Sequence, residues 1–318
     1  RGSVTASAVD QRIRGLRPPK PLVDPYVAQG SVVEPERRPN GKIEQTLTVF
    51  LTGAECPFTC SFCDLWRFTI DGPTPPGALP HQLETVLETL DRTVVDRVKL
   101  YNASNFFDLR AVPAEDLPVL AGLVAPFAGV TVESHASTVG VRTVEFAHQI
   151  PGRLEVAVGL ETVHPVALAQ INKRLDLARF DQAAQFLSEN DIDLRVFVLL
   201  GTPHVPANES VEWTVRSVEY AVGRGAAMVS IIPVRRGNGE LERLQSRGDF
   251  TPPTLSELEE VLDRCSRFTG SVVTADLWDV ERLPACESCG PARVERLRRL
   301  NISGVAAPRI GCAKCGGE

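Results

Sequence analysis

The sequence predicts an α/β fold: a partial (βα)6 TIM-type barrel with a small C-terminal four-cysteine metal-binding module. Two observations predict the barrel. Six short apolar runs recur along the chain, and stretches with apolar residues at helical spacing separate them. Strands that are apolar almost throughout are typical of a parallel sheet covered by helices. A doubly wound open sheet is the alternative, and in both folds functional residues gather at the carboxyl ends of the strands.

The elements of this alternation follow from the pattern of apolar residues. The six predicted strands span residues 46–52, 97–102, 129–134, 154–161, 192–201 and 226–233. The helices between them are predicted near residues 83–90, 114–125, 139–149 and 211–222, with further helical segments before about residue 190. Beyond the sixth strand, the pattern predicts a helix near 255–268 and a further strand at 271–278.

Three segments are predicted along the chain. Residues 1–44 form a Pro-rich N-terminal arm, because "RPPKPLVDP" and "EPERRPNG" exclude long helices and central strands. This arm is expected to be either disordered or laid across the body. Residues 45–253 form the barrel, and residues 254–318 form an extension that ends in the cysteine module.

The composition is that of an ordinary soluble enzyme, with 43% hydrophobic and 23% charged residues. No stretch reaches the roughly 20 apolar residues that span a bilayer, and the N-terminal residues have no signal-peptide core. We therefore expect a cytoplasmic protein without a membrane partner. The eight cysteines are too few for a disulfide scaffold, and seven lie in tight groups, which favours metal binding. Cys265 stands alone and is expected to be a buried structural thiol.

The net charge of −6 is unevenly distributed. Residues 1–44 carry eight Lys/Arg against five Asp/Glu, and residues 284–318 carry six against three. The body between them is therefore acidic, which argues against a broad phosphate-binding surface. The two basic ends leave contact with nucleic acid open.

Three cysteines, Cys56, Cys60 and Cys63, directly follow the first predicted strand. A closed structural zinc site needs four ligands, and this loop supplies three. Three thiolates suit a [4Fe–4S] cluster whose fourth iron is open to a second molecule. The alternative is a zinc site completed by His81 or by a distant ligand.

The C-x-x-x-C-x-x-C spacing, with Phe62 before the last cysteine, resembles the signature loop of the radical S-adenosylmethionine (SAM) superfamily. The resemblance implies that the open iron binds the methionine end of SAM. Reductive cleavage of SAM then gives a 5′-deoxyadenosyl radical, which removes a hydrogen atom from the substrate. It also implies an external electron donor such as flavodoxin or ferredoxin. No individual catalytic side chain is assigned.

The same resemblance implies SAM contacts at successive strand ends. The residues assigned to these contacts are Asn102, Ala103, Ser104, Asn105, Glu133, Ser134, Glu161, Lys173, Leu199 and Leu200. Lys173 is expected to pair with the SAM carboxylate, with Arg174 as its substitute. Gly201 is expected to let the adenine approach closely. The alternatives are an Asx-type turn at residues 102–105 and an exposed surface lysine at Lys173.

The order of "KLYNASNFFD", "VTVESH", "INKR" and "VSIIP" resembles one branch of the superfamily, which contains the elongator catalytic subunit and the radical SAM partner of archaeosine synthase. Those enzymes modify tRNA. This sequence shows no counterpart of the elongator acetyltransferase domain. Its first cysteine spacing is tighter than that of the archaeosine synthase partner. We therefore expect a small metabolite as substrate. A tRNA-modifying enzyme is the first alternative, and a non-catalytic structural metal protein is the second.

Two C-x-x-C pairs near the C-terminus, Cys286/Cys289 and Cys312/Cys315, are each followed by glycine. Four thiolates hold either zinc or an auxiliary iron–sulfur cluster, and both possibilities remain open. Between the pairs, "RVERLRRL" predicts a short helix with four arginines. Those arginines either bind phosphate or form an exposed, solvated face.

Overall fold

Eight strands form one sheet in which every strand pairs with the next one along the chain. The computed structural model describes residues 7–91 and 94–316. The strands are β1 (Gly30–Arg37), β2 (Ile43–Phe50), β3 (Arg97–Tyr101), β4 (Gly129–Ser134), β5 (Arg153–Glu161), β6 (Asp193–Leu200), β7 (Met228–Pro233) and β8 (Val272–Ala275). β1 is antiparallel to β2, and all later pairs are parallel. This sequential order is that of a nearly closed barrel and excludes a doubly wound sheet, whose strand order reverses.

Helices follow most of the parallel strands and cover the outer face of the sheet. They are α1 (Ala8–Gly15), α2 (Ala78–Glu88), α3 (Asp116–Val124), α4 (Val141–Gln149), α5 (Pro165–Gln170), α6 (Leu177–Glu189), α7 (Ser210–Gly223), α8 (Glu240–Ser246), α9 (Leu255–Cys265) and α10 (Gly290–Ser303). No helix of the described residues is long and apolar enough to cross a membrane.

Alternate side chains of each strand face opposite sides of the sheet, and here the two sides differ in chemistry. On β3, Val98 and Leu100 are fully buried in the main hydrophobic core against the helices. Lys99 and Tyr101, between and beyond them, lie on the other face and are half-buried. The core therefore lies between sheet and helices, and the barrel interior is polar.

A network of charged side chains fills the interior near the amino ends of the parallel strands. Glu155 is completely buried and accepts hydrogen bonds from Arg38 and Arg195, each at 2.8 Å. Burial alone raises the pKa of Glu155, but the charges of Arg195 and Arg38 hold it well below its usual range. Glu36 pairs in turn with Arg195 at 2.7 Å and with Lys99 at 2.8 Å. This network closes the lower end of the barrel.

Helix α10 covers the gap between the two edge strands, because it packs on both β1 and β8. The side-chain amide of Asn301 on α10 bonds the backbone of Ala275 on β8. On the side of the barrel mouth, the rings of Phe50 and Trp278 lie 5.7 Å apart. The barrel is thus closed by a helix and by side chains, without a ladder between β1 and β8.

The predicted α/β barrel is confirmed, and its six predicted strands correspond to β2–β7. Three elements were not predicted: α1, α8 and β1. Residues 7–44 therefore contain regular structure, a helix and a strand, and are not simply an extended arm. β1 contains Pro35, which an edge strand tolerates because one side of its backbone needs no ladder partner. The predicted segment boundaries stay a prediction, and both flanking segments contribute a strand to the sheet.

Candidate functional site

The three cysteines that follow β2 lie on one cleft at the carboxyl ends of the parallel strands. The cleft is lined by Arg17, Glu55, Cys56, Phe58, Cys60, Cys63, Trp66 and Ala103. Ala103 follows β3, so the cleft brings together the ends of two neighbouring strands. Arg17 comes from the N-terminal arm.

Hydrogen bonds from distant segments fix the backbone of the cysteine loop. The Ser61 amide donates to the Ile171 carbonyl at 2.9 Å. The buried Asn238 side chain donates to the carbonyls of Ser61 at 2.8 Å and Cys63 at 3.2 Å. Asn105, a predicted SAM contact, donates its side-chain amide to the Cys56 sulfur at 3.5 Å. The thiols are therefore held in place before any metal binds.

Burial raises the pKa of all three thiols, that of Cys60 to about 12. The positive charge of Lys173 opposes this rise at Cys56 and Cys60. The three cysteines are half-buried, and thiols with a raised pKa are neutral and poor nucleophiles, so a metal must displace their protons. The loop is therefore suited to holding a metal group rather than to nucleophilic catalysis.

The segment 102–105 curls around the carboxylate of Glu133 at the end of β4. The Ala103 amide donates to Glu133 at 2.7 Å, and the amides of Asn102 and Ser104 also donate to this carboxylate. Burial is the larger effect and raises the pKa of Glu133 to about 7. Ala103 adopts a φ of 54°, which a non-glycine residue adopts only when its surroundings hold it there. The segment, for which an Asx-type turn was the alternative interpretation, is therefore a loop built around Glu133.

Lys173 is not the exposed surface lysine of the alternative interpretation. It is buried, and its ammonium group pairs with Glu161 at 2.6 Å. Burial alone lowers the pKa of Lys173, but the charge of Glu161 outweighs it and raises this pKa above its usual range. Glu161 itself has a φ of 68°. The pair therefore places a charged ammonium group at the same strand ends as the cysteines.

His135, directly after β4, links the cysteine loop to Lys173. Its ring stacks on Phe58 with centroids 4.1 Å apart, and its Nε2 lies 3.1 Å from the Lys173 carbonyl. Its backbone amide donates to Asn105 at 2.7 Å. Burial lowers the pKa of His135 to about 4, so the ring is neutral near pH 7. The predicted residues Asn105 and Lys173 thus belong to one connected site.

The remaining predicted SAM contacts are less accessible. The hydroxyl of Ser134 bonds Thr138 at 2.5 Å. The carbonyls of Leu199 and Leu200 already accept protein donors, and the Leu200 side chain faces the helices. At Gly201 the structure shows a close approach by another group, because a Cβ there would lie 2.7 Å from the Pro253 ring; the adenine contact stays a prediction. Glycine is needed at that position because Pro253 packs against it.

His81, the alternative fourth ligand, lies on α2 and is exposed, with its ring 6.0 Å from that of Tyr26. It does not line the cysteine cleft. Sequence reasoning did not find three residues that build the site, Asp10, Arg17 and Asn238. Single polar residues in irregular segments leave no periodic signal, so only their spatial position reveals them.

The four C-terminal cysteines form a second site, whose ligand sulfurs all lie within 4.8 Å of one another. Cys286 and Cys312 are 4.0 Å apart, and Cys289 and Cys315 are 3.7 Å apart. The Cys286 sulfur accepts hydrogen bonds from the backbone N–H groups of Ser288 and Cys289. The Cys312 sulfur accepts them from the backbone N–H groups of Lys314 and Cys315. This is the geometry of two metal-binding knuckles facing each other.

Comparison with solved structures places this architecture among known folds. Methylornithine synthase (PylB) aligns over 79% of this chain and 68% of its own, with a TM-score of 0.52 and 14% identity. The archaeal Methanocaldococcus infernus Elp3, with an N-terminal deletion, aligns over 70% and 59%, with a TM-score of 0.51 and 14% identity. These neighbours are radical SAM enzymes.

The chain has the radical SAM fold. Streptococcus suis SuiB matches equally well, at a TM-score of 0.51 and 14% identity over 73% of this chain and 50% of SuiB. The chain thus spans between 50% and 68% of the length of these structures. No family model matches the sequence, and no curated protein matches it. Because the three neighbours score alike, the fold does not select one branch of the superfamily.

Proposed function

We propose that this protein is a radical SAM enzyme that acts on a small metabolite. The single observation that carries the proposal is the cleft that Cys56, Cys60 and Cys63 share at the strand ends. No fourth cysteine or histidine of the described residues lines it, and its carboxylate, Glu55, pairs with Arg17 at 2.7 Å. Three thiolates leave one position of a [4Fe–4S] cluster open.

Orphaned polar atoms support a further polar ligand at this site. Asn102 is fully buried, and neither its amide nitrogen nor its oxygen has a partner. The hydroxyls of Ser104 and Ser61 are likewise buried and unpaired. Each such atom costs about 1–3 kcal/mol. These residues lie beside or within the segments that line the cleft, so the donor set fits a cluster with a polar nucleotide bound to it.

The residues of the chain divide the work of binding. Lys173 offers the cation for the methionine carboxylate of SAM, and Glu133 offers a carboxyl group for its amino group. Asn105 orients Cys56. Bound there, the cluster and SAM would supply reductive cleavage to a 5′-deoxyadenosyl radical, which takes a hydrogen atom from the substrate. An external donor such as flavodoxin or ferredoxin would provide the electron.

The chemistry of the barrel interior favours a small polar substrate. Its half-buried side chains above the charged floor include Tyr101, Phe197, Ser230 and Thr274. They combine two aromatic rings, 6.1 Å apart, with hydroxyl groups that suit a compact molecule with polar and apolar parts.

The arginines of the C-terminal module give little support to the tRNA alternative. Arg293 and Arg296 are buried and pair with Glu259 and Asp263, each at 2.6 Å. They are therefore not available to phosphate. The two exposed arginines of the same helix lie next to Glu295.

We further propose that the C-terminal site holds zinc rather than an auxiliary cluster. Four sulfurs at Zn–S distances of about 2.3 Å in a tetrahedron lie about 3.8 Å apart. The distances of 3.7 and 4.0 Å match this value. In a [4Fe–4S] cluster each thiolate binds a different iron, so the sulfurs must stand farther apart.

The proposed function is tested by Cys60→Ala, with Cys265→Ala as the matched control, because Cys265 is buried in α9 away from the cleft. Both variants and the wild type are purified without oxygen. Iron and 5′-deoxyadenosine formed from SAM with dithionite are then measured. We expect the wild type and Cys265→Ala to bind iron and cleave SAM, and Cys60→Ala to do neither. A wild type without iron, or undiminished cleavage in Cys60→Ala, would refute the proposal.

A further inference from the structure

The N-terminal arm is fastened to the cofactor site by one buried carboxylate. Asp10 lies on α1 and is 3% exposed. Its Oδ1 accepts from the Thr59 hydroxyl and from the Asn172 amide, the latter at 2.9 Å, and its Oδ2 accepts from the Arg174 guanidinium. Oδ2 also accepts the Ser7 amide in a capping box. Apart from the Ser7 amide, these partners of Asp10 lie far from α1 in the sequence, at residues 59 and 172–174.

Those partners are adjacent in sequence to Cys60, a proposed cluster ligand, and to Lys173, a proposed SAM contact. Thr59 precedes Cys60, and Asn172 and Arg174 flank Lys173. Asn172 and Arg174 have φ angles of 56° and 58°, a strained backbone that persists only where contacts enforce it. Asn172 also donates to the Thr59 carbonyl at 2.9 Å. One carboxylate of the arm therefore sets the spacing between the cysteine loop and the Lys173 turn.

The arm is attached at further points on both sides of the cleft. Arg17 pairs with Glu55 at 2.7 Å, lies 4.8 Å above the Trp66 ring, and lines the cysteine cleft. The Leu16 carbonyl packs so closely on Gly239 that a Cβ there would lie only 1.9 Å from it. Arg17 is therefore part of the wall of the cleft, and Leu16 anchors the arm next to it.

We propose that residues 7–17 of the arm are a built-in cover of the cysteine cleft, and that Asp10 is the positioning residue that holds this cover against the loop. The cover adds Arg17 to the wall of the cleft, limits access to the half-buried cysteines, and ties α1 to the Lys173 turn. The identity of the group that the thiols bind rests on the proposed function. The covering of the cleft by the arm does not depend on it.

The test uses the full chain without metal and measures alkylation of each cysteine by iodoacetamide, followed by peptide mass spectrometry. The variant is Asp10→Asn. The control is Asp24→Asn, an exposed arm residue whose carboxylate accepts only the Tyr26 amide, which an asparagine also serves. Cys265, 1% exposed in α9, is the internal reference for global unfolding.

We expect Asp10→Asn to raise alkylation at Cys56, Cys60 and Cys63 by about tenfold, because losing a charge-assisted contact raises the population of the open form. Cys265 should be unchanged, as should every cysteine in Asp24→Asn. Unchanged rates at the three loop cysteines in Asp10→Asn would overturn the proposal.

A second variant decides the case in which Asp10→Asn also exposes Cys265. Arg174→Gln removes one partner of Asp10. The side chain of Arg174 is 40% exposed, so the fold should persist. A selective rise at the loop cysteines supports the cover, and no rise overturns it. In cluster-loaded protein, the visible colour of Asp10→Asn should also bleach several-fold faster in air. Absence of iron from the wild type would count against the proposed function, while the alkylation result would still decide the cover.

Discussion

The side-chain amide of Asn301 bonds both backbone groups of Ala275, accepting from its N–H at 2.9 Å and donating to its carbonyl at 2.8 Å. Ala275 lies on β8, the last strand of the sheet, and these groups face away from β7. A single side chain therefore stands in for a missing neighbouring strand. This is how α10 ends the sheet without leaving buried backbone groups unpaired.

Asn301→Leu is expected to lower the free energy of unfolding by about 1–3 kcal/mol, because it leaves the Ala275 N–H and carbonyl buried without partners. Urea unfolding should show a lower midpoint with an unchanged slope. Asn190→Leu, at an exposed helix end, is the control and should change stability by about 0.5 kcal/mol or less. Equal stability of the two variants would contradict the bridging role of Asn301.

Glu133 is expected to make stability depend on pH. Burial raises its pKa in the folded protein to about 7, above its value in an unfolded chain, so the folded state holds a proton that the unfolded state releases. The contribution is complete below about pH 4.5 and is lost as the pH rises through about 7. The free energy of unfolding of the wild type should therefore fall over this window relative to that of Glu133→Gln. Parallel pH profiles would show that Glu133 titrates normally.

Lys173→Met is expected to destabilise the fold by about 3–5 kcal/mol, because it leaves the carboxylate of Glu161 buried and unpaired. The double variant Lys173→Met/Glu161→Gln removes that charge and should regain much of the loss. Urea unfolding measures the free energy of unfolding of both variants. SAM binding should remain weak in both variants, because each lacks the ammonium group. Tight SAM binding by the double variant would exclude Lys173 as the carboxylate partner.

Cys312→Ser is expected to lose one zinc ion and to lower thermal stability, since the C-terminal site would retain three of its four thiolates. Metal analysis of anaerobically purified protein should show an unchanged iron content, because the loop with Cys56, Cys60 and Cys63 is intact. Cys265→Ala should keep both metals. Loss of about four irons in Cys312→Ser would instead indicate an auxiliary cluster.

Most of the barrel was predictable because its parallel strands carry uninterrupted apolar runs. β5, for example, is buried from Leu154 onward, and "LEVAVGLE" shows this directly. β1 was not predicted, because Pro35 and the charges of Glu34 and Glu36 read as a linker. Those charges are part of the structure, since Glu36 points into the barrel and pairs with Arg195.

At the cofactor site, spacing identifies ligands but not the residues that hold them. Cys56, Cys60 and Cys63 are found from eight consecutive positions. Asp10 meets Thr59 from 49 residues away and Arg174 from 164 residues away. Nothing in a local pattern records such a contact, because it depends on the folding of every element between the partners.

The position of α10 has a consequence for how the chain matures on the ribosome. Synthesis delivers β1 first and α10 only after β8, so about 250 residues separate the two partners along the chain. Until that helix emerges, the nascent barrel must stay split along one seam, with its charged lumen wetted and one backbone edge open to foreign strands.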